Sequence, residues 1–211
     1  MSVRDDAEGD GTPRLVLASA SPRRAALLRQ LGLPAESVAA DVDEAAHPGE
    51  EPAVHVERLA RAKAMTVSAS HPGALVVGGD TVVVRDGAIL GKPASEDHAV
   101  AMLTSLSGRT HEVYSGVAVA GPHGVVSGVE RTTVRMRPFG PGQTRAYVAT
   151  GEPMDKAGAY GIQGLGAALV DGIDGDYYAV VGFPVGCFLD LLASAGWRYT
   201  FTGLEPLREV P

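Results

Sequence analysis

The chain has 211 residues, 45% hydrophobic and 20% charged, with 18 Lys and Arg against 25 Asp and Glu for a formal net charge of -7. That length suits one α/β domain with a real core, the acidity argues against a general nucleic-acid surface, and the apolar runs are far too short to span a membrane. The single cysteine, Cys187, excludes an intrachain disulfide and a cysteine-built metal cage, and reads as a buried structural thiol.

Residues 1–13 combine Asp, Glu, Gly and Pro with almost no apolar pattern and are expected to form a solvated tail ahead of a single domain over 14–211. Being acidic and polar, the tail does not read as a secretory leader, and a cytoplasmic location follows. "RLVLAS" predicts a buried strand, after which Ser21 and Pro22 read as the N-cap and first position of a helix. The helix carries Leu27, Leu28 and Leu31 on one face and closes at Gly32. Its first turn holds Arg23 and Arg24, at the end where the helix dipole disfavours each cation by ~0.3–1 kcal/mol. Either both are solvated on a slightly weakened helix, or a bound anion supplies counter-charge.

Residues 35–50, including "ADVDEAAHPGE", read as an acidic loop after a short strand. From about Pro52 to Ser68, Val56, Leu59, Ala60, Lys63 and Val67 recur at helical spacing. Lys63 therefore lies on the apolar stripe, either snorkelling at its edge or pointing into a cleft that holds an anion. "ALVVGGDTVVVRDGAILGKP" predicts two strands around an Asp-Gly hairpin turn. Asp80 interrupts the first, and a buried carboxylate is costly unless paired, hydrogen-bonded or metal-bound. It either ties up the glycine turn or serves a ligand that the two glycines let approach. Lys92 ends the second strand on the same side.

A structural helix is expected from Ser95 to Leu106, and "HEVYSGVAVAG" with "GVVSGVERTTVRMRPF" predicts an antiparallel pair that makes the sheet mixed. His111 reads there as a strand-end hydrogen-bonding residue. "TGEPMDKAGAYGIQGLGAALV" is a glycine-dense loop presenting Asp155, Lys156 and Gln163 from fixed positions, and a last helix from near Pro184 packs Phe188, Leu189, Leu191 and Leu192 into the core.

Arg23, Arg24, Lys63 and Lys92, with the carboxylates of Glu44 and Asp80, are what transfer chemistry on a polyphosphate needs: cations for the oxygens, and carboxylates for a divalent metal and a water. No Walker A loop, G-x-G-x-x-G turn or G-x-S-x-G elbow is present, and the histidines at 47, 55, 71, 98, 111 and 123 lack zinc spacing.

The ordered set "LASASPRRAALLRQLG", "VDE", "RLARAKA", "GGDTVV", "ILGKP", "LSGRTHEVYSGVAV", "GEPMDKAGAYGIQG" and "VVGFP" resembles the Maf family of nucleoside triphosphate pyrophosphatases from about residue 14 to 197. The resemblance implies an elongated α/β fold, with a mixed sheet flanked by helices and two lobes around a cleft, like that of the inosine triphosphate pyrophosphatases. It further implies a divalent metal, Mg or Mn, hydrolysis of a nucleoside triphosphate to monophosphate and pyrophosphate, and a homodimer; from the acidity and the short apolar runs, no nucleic-acid or membrane partner is expected. By resemblance Asp80 is the catalytic carboxylate, as proton acceptor or metal ligand, and Glu44 an acidic residue near the metal. Arg23, Thr81 and Gln163 stand at positions tied to base preference and are similar to the dTTP and UTP branch. Ser19, Arg24, Lys63 and Lys92 align with phosphate-binding positions. "GGD" replaces the more usual "GAD", "VVGFP" replaces "VVGLP" and Ser115 replaces threonine, with Gly79 expected to loosen the site. The competing readings are a pyrophosphatase for 7-methyl-GTP or modified nucleotides, and a nucleotide-binding regulator of cell division without turnover.

Overall fold

The computed structural model describes residues 13–207, so apart from Pro13 the expected tail lies outside the described residues. In chain order the elements are β1 Leu15–Ala18, α1 Pro22–Gln30, β2 Glu36–Ser37, α2 Pro52–Ser68, β3 Leu75–Arg85, β4 Ala88–Leu90, α3 Glu96–Leu106, β5 Thr110–Gly121 and β6 Gly124–Met136. They continue with α4 Pro141–Val148, β7 Val170–Asp174, α5 Tyr177–Val181, α6 Val185–Ser194, β8 Trp197–Tyr199 and β9 Leu204–Pro206. Between α4 and β7 the glycine-dense segment winds into three short 3-10 turns, Glu152–Asp155, Ala157–Ala159 and Gly164–Leu169. Among the described residues no helix is long and apolar enough to cross a membrane.

The main sheet is mixed, as expected, with order β2-β1-β3-β5-β6-β7 and β4 added to β3. β1 runs parallel to β2 and β3, while the remaining pairs are antiparallel. The β3–β4 turn places Asp86 at φ 50° and Gly87 at φ 80°, the left-handed pair that a two-residue hairpin demands. β3 and β5 are long enough to cross from one hydrophobic core to another. Leu75, Val77, Val117 and Val119 pack with α1 and α6 in the first core, whereas Val83 and Val113 pack with α3 and α4 in the second. Thr81 and Ser115, on the same face, fall where the two cores meet and are paired in register.

The opposite face of β3 carries Val76, Gly78, Asp80, Val82 and Val84 towards α2, since strand side chains alternate. A Cβ on Gly78 would lie 2.2 Å from the Ala60 carbonyl oxygen, and one on Gly116 only 2.4 Å from that of Val56. Glycine at both places lets the backbone of α2 rest directly on the sheet. That contact brings Lys63, on the buried stripe of α2, down to Asp80.

One edge of β3 is interrupted. β1 pairs with Leu75–Gly78 and β4 with Val83–Arg85, so Gly79–Val82 face no strand on that side. Through this gap the successive side chains of Asp80 and Thr81, on opposite faces of one strand, both reach a single cleft.

Candidate active site

The cleft has a volume of about 730 Å³. Ser19, Arg23, Arg24, Glu44, Lys63, Asp80, Thr81, Lys92 and Gln163 all line it, so the structure brings together the nine candidate site residues, while His111 and Cys187 lie outside its lining.

Lys63 resolves in favour of the cleft. Its Nζ donates to Asp80 Oδ1 at 2.8 Å and meets Glu44 Oε1 at 2.6 Å, with the Lys63 and Asp80 side chains only 9% and 12% exposed. Partial burial works against ionisation of Glu44, but the hydrogen bond and charge of Lys63, helped by Lys92 and Arg24, hold its carboxyl below the usual range. Among the described residues no three His, Cys, Asp or Glu side chains converge on a metal position. Glu44 and Asp80 do offer the hard oxygen donors that Mg²⁺ or Mn²⁺ prefers, and a triphosphate and waters would complete such a shell.

Ser21 takes the extended backbone of an N-cap, but its side chain makes no cap bond; its N–H instead donates to Ser19 Oγ at 3.2 Å. Both first-turn arginines are paired. Arg24 Nε donates to the Gly182 carbonyl at 2.8 Å, Nη1 to Ser19 Oγ at 3.1 Å and Nη2 to Thr81 Oγ1 at 3.2 Å. Gly182 is the C-cap of α5, so a cation at the positive end of one helix rests on the negative end of another. Burial lowers the Arg24 pKa, and the Asp80 charge opposes that shift. Arg23 Nη1 donates to Asp155 Oδ2 at 2.9 Å, while Lys156 Nζ donates to Asp155 Oδ1 and to the Glu152 carbonyl, both at 2.6 Å. Asp155 therefore supplies counter-charge to Arg23, while carbonyl and hydroxyl oxygens hold Arg24, so neither arginine is simply solvated. Lys92 and Gln163 stand exposed at the cleft walls.

Three features escaped the sequence reading. Asp155 was visible but not its pairing with Arg23 across 132 positions, for which no local pattern exists. Glu50 fastens the loop carrying Glu44: it accepts from Arg58 Nε at 2.6 Å and Nη2 at 2.8 Å, from the His47 N–H at 3.0 Å, and lies 2.9 Å from His55 Nδ1. The Arg58 bonds hold its carboxyl far below the ordinary range, against the burial that opposes ionisation. Thr81 Oγ1 lies 2.9 Å from Ser115 Oγ, which donates to the Ala179 carbonyl at 2.6 Å, so the Ser115 hydroxyl does the anchoring that threonine would do.

His111 is buried, at 3% exposure, and not a simple strand-end donor. Its Nε2 is 2.7 Å from the Tyr160 hydroxyl at the cleft wall, and its Nδ1 has no partner among the described residues. Burial pushes its pKa down to about 4. An unfolded histidine titrates near 6.5, so the unfolded chain binds the extra proton first as pH falls. Stability is expected to drop by about 3 kcal/mol between roughly pH 6.5 and 4 from this group. Urea midpoints against pH, for the protein and for His111→Phe, check this; an equally steep acid limb in both would remove His111 as its source. Cys187 is half-buried beside the first core and burial raises its pKa, in keeping with a structural thiol.

A family profile described as Maf-like protein matches residues 14–195. A protein of Moorella thermoacetica named dTTP/UTP pyrophosphatase is 55% identical over 187 residues, 87% of this chain and 95% of the relative. Relatives of the same name from Symbiobacterium thermophilum and Myxococcus xanthus are each 51% identical, covering 90% and 87% of this chain and 97% and 95% of their own.

Proposed function

The chain belongs to the Maf-like family, and from that premise we propose that it hydrolyses dTTP and UTP to the nucleoside monophosphate and pyrophosphate with the help of a divalent cation. The observation that carries the reading is the convergence of Asp80, Glu44 and Lys63 with Arg23, Arg24 and Lys92 in one cleft. A bound Mg²⁺ or Mn²⁺ would neutralise phosphate charge and polarise the α-phosphorus.

The chain's own residues divide the remaining work. Asp80 Oδ1 is the oxygen that Lys63 engages and that a bound cation would take over, which leaves Oδ2 to orient a water and accept its proton as the water oxygen bonds to the α-phosphorus. The bond from the α-phosphorus to the bridging oxygen breaks, and Lys63 and Lys92 hold the charge that collects on pyrophosphate. Arg24 spends three of its five N–H groups on the protein, so two remain for a phosphate oxygen. Ser19 fixes that guanidinium as well as facing the cleft. Arg23, Thr81 and Gln163 form the base-reading group, with Gln163 offering both a donor and an acceptor to a pyrimidine edge.

Pyrophosphate release from a panel of triphosphates tests the assignment. Turnover of dTTP and UTP is expected to exceed that of the purine nucleotides, 7-methyl-GTP included, by at least about tenfold in kcat/KM. Equal rates, a lead for 7-methyl-GTP, or binding without turnover would each displace it. Gln163→Ala is expected to raise KM for dTTP and UTP by roughly 5–10-fold, with a smaller fall in kcat, because it removes hydrogen bonds made before and during the reaction alike. Uniform losses across all triphosphates would remove Gln163 from base reading.

A further inference from the structure

Lys63 occupies an unusual position for a phosphate-binding lysine. Its ammonium sits between Glu44 Oε1 at 2.6 Å and Asp80 Oδ1 at 2.8 Å, the two carboxylates best placed to receive a divalent cation. The side chain is confined to the cleft, since it is 9% exposed and its helix is pressed on the sheet at Gly78 and Gly116. We propose that Lys63 is a built-in surrogate cation that bars free divalent ions from Glu44 and Asp80, so that the protein takes its substrate as the metal–triphosphate chelate and holds no resident metal. This rests on the pyrophosphatase reading of the same cleft.

The physics is a matter of exchange. A divalent ion arriving alone must either expel the ammonium from Oδ1 and Oε1 or settle beside it on the other carboxylate oxygens, and in both cases it faces the charges of Lys63 and Arg24, with Lys92 nearby, Lys63 and Asp80 being largely buried and Glu44 58% exposed. A triphosphate changes the balance, because its oxygens give the ammonium new partners as the ion takes the carboxylates. Lys63 thus trades one set of anions for another, and it returns to Glu44 and Asp80 once pyrophosphate leaves. The carboxylates are never left unpaired in either state.

Mn²⁺ titrations of the full chain, read as loss of the free-ion electron paramagnetic resonance signal, test this without any turnover. The protein without nucleotide is expected to bind Mn²⁺ at least about tenfold more weakly than Lys63→Gln or Lys63→Met. With a dTTP analogue carrying an imido bridge between the α and β phosphates, the order is expected to invert, the unaltered protein retaining the Mn²⁺ complex at least about tenfold better than either variant. Tight Mn²⁺ binding by the free unaltered protein, or free-protein affinities that Lys63 substitution leaves unchanged, would overturn the proposal. The first of these needs no variant to fold. Failure of the analogue to bind under any condition would count against the pyrophosphatase reading, while the free-protein titrations still decide the role of Lys63.

Discussion

Asp80→Asn is expected to lower kcat for dTTP hydrolysis by about 10²–10⁴-fold, with KM changed far less, because the substitution removes a proton acceptor while keeping the side chain's shape. The asparagine carbonyl can still accept from Lys63, and Lys63 keeps Glu44, so the cost to stability is expected to stay near ~1–2 kcal/mol. Removing the buried partner altogether, as in Asp80→Ala, leaves Lys63 half-paired and is expected to cost more, about 3–5 kcal/mol. Measured pyrophosphate release and urea midpoints separate the two effects. A kcat for Asp80→Asn within threefold of the parent would take Asp80 out of the chemical step, whatever its role in holding Lys63.

The second large effect concerns stability. Gly78→Ala would place a methyl group 2.2 Å from the Ala60 carbonyl oxygen and 2.8 Å from the Ala64 nitrogen, both backbone atoms of α2. Neither can swing aside, so the helix must lift from the sheet, with an expected loss of at least ~1–3 kcal/mol and a Tm lower by roughly 2–4 °C per kcal/mol. Gly79→Ala makes the control. Its methyl would meet Arg24 Nε at 3.3 Å and the Gly116 oxygen at 3.4 Å, contacts that a shift of a few tenths of an ångström relieves. Thermal denaturation of the two variants should therefore differ clearly, although the glycines are neighbours. Equal losses would mean that the contact between α2 and β3 is not what requires Gly78. Gly79 is held in the β3–β5 ladder opposite Val117 on one side and opens the unpaired stretch of β3 on the other.

The long elements were legible because one physical pattern dominates each. Helical spacing marked α2, the Asp-Gly pair marked the β3–β4 turn, and alternation marked β5 and β6. Site residues showed as exceptions to those patterns, a lysine on an apolar stripe and an aspartate inside an apolar strand. Short elements carried too few residues for a period to emerge, so α4, α5 and β7–β9 went unread, and the glycine-dense segment read as loop instead of 3-10 turns. Partners were hidden for a different reason. The bonds Arg24–Gly182, Arg23–Asp155 and His111–Tyr160 join residues 158, 132 and 49 positions apart, and only the folded topology makes them neighbours. The sequence therefore pointed to the groups that line the cleft, but not to which of them the protein itself restrains.

The interrupted edge of β3 also bears on mechanics. Opposite the gap, the two cores are joined by the continuous β3–β5–β6 ladder. For any change in the angle between the cores, that ladder is the fulcrum, and a group is displaced in proportion to its distance from it. Asp80 and Thr81 lie on the fulcrum itself and travel least, whereas Arg23, Lys92 and Gln163 stand on the arms. Were that angle to change, the spacing of the cleft walls would alter while Asp80 and Thr81 kept their places on the ladder.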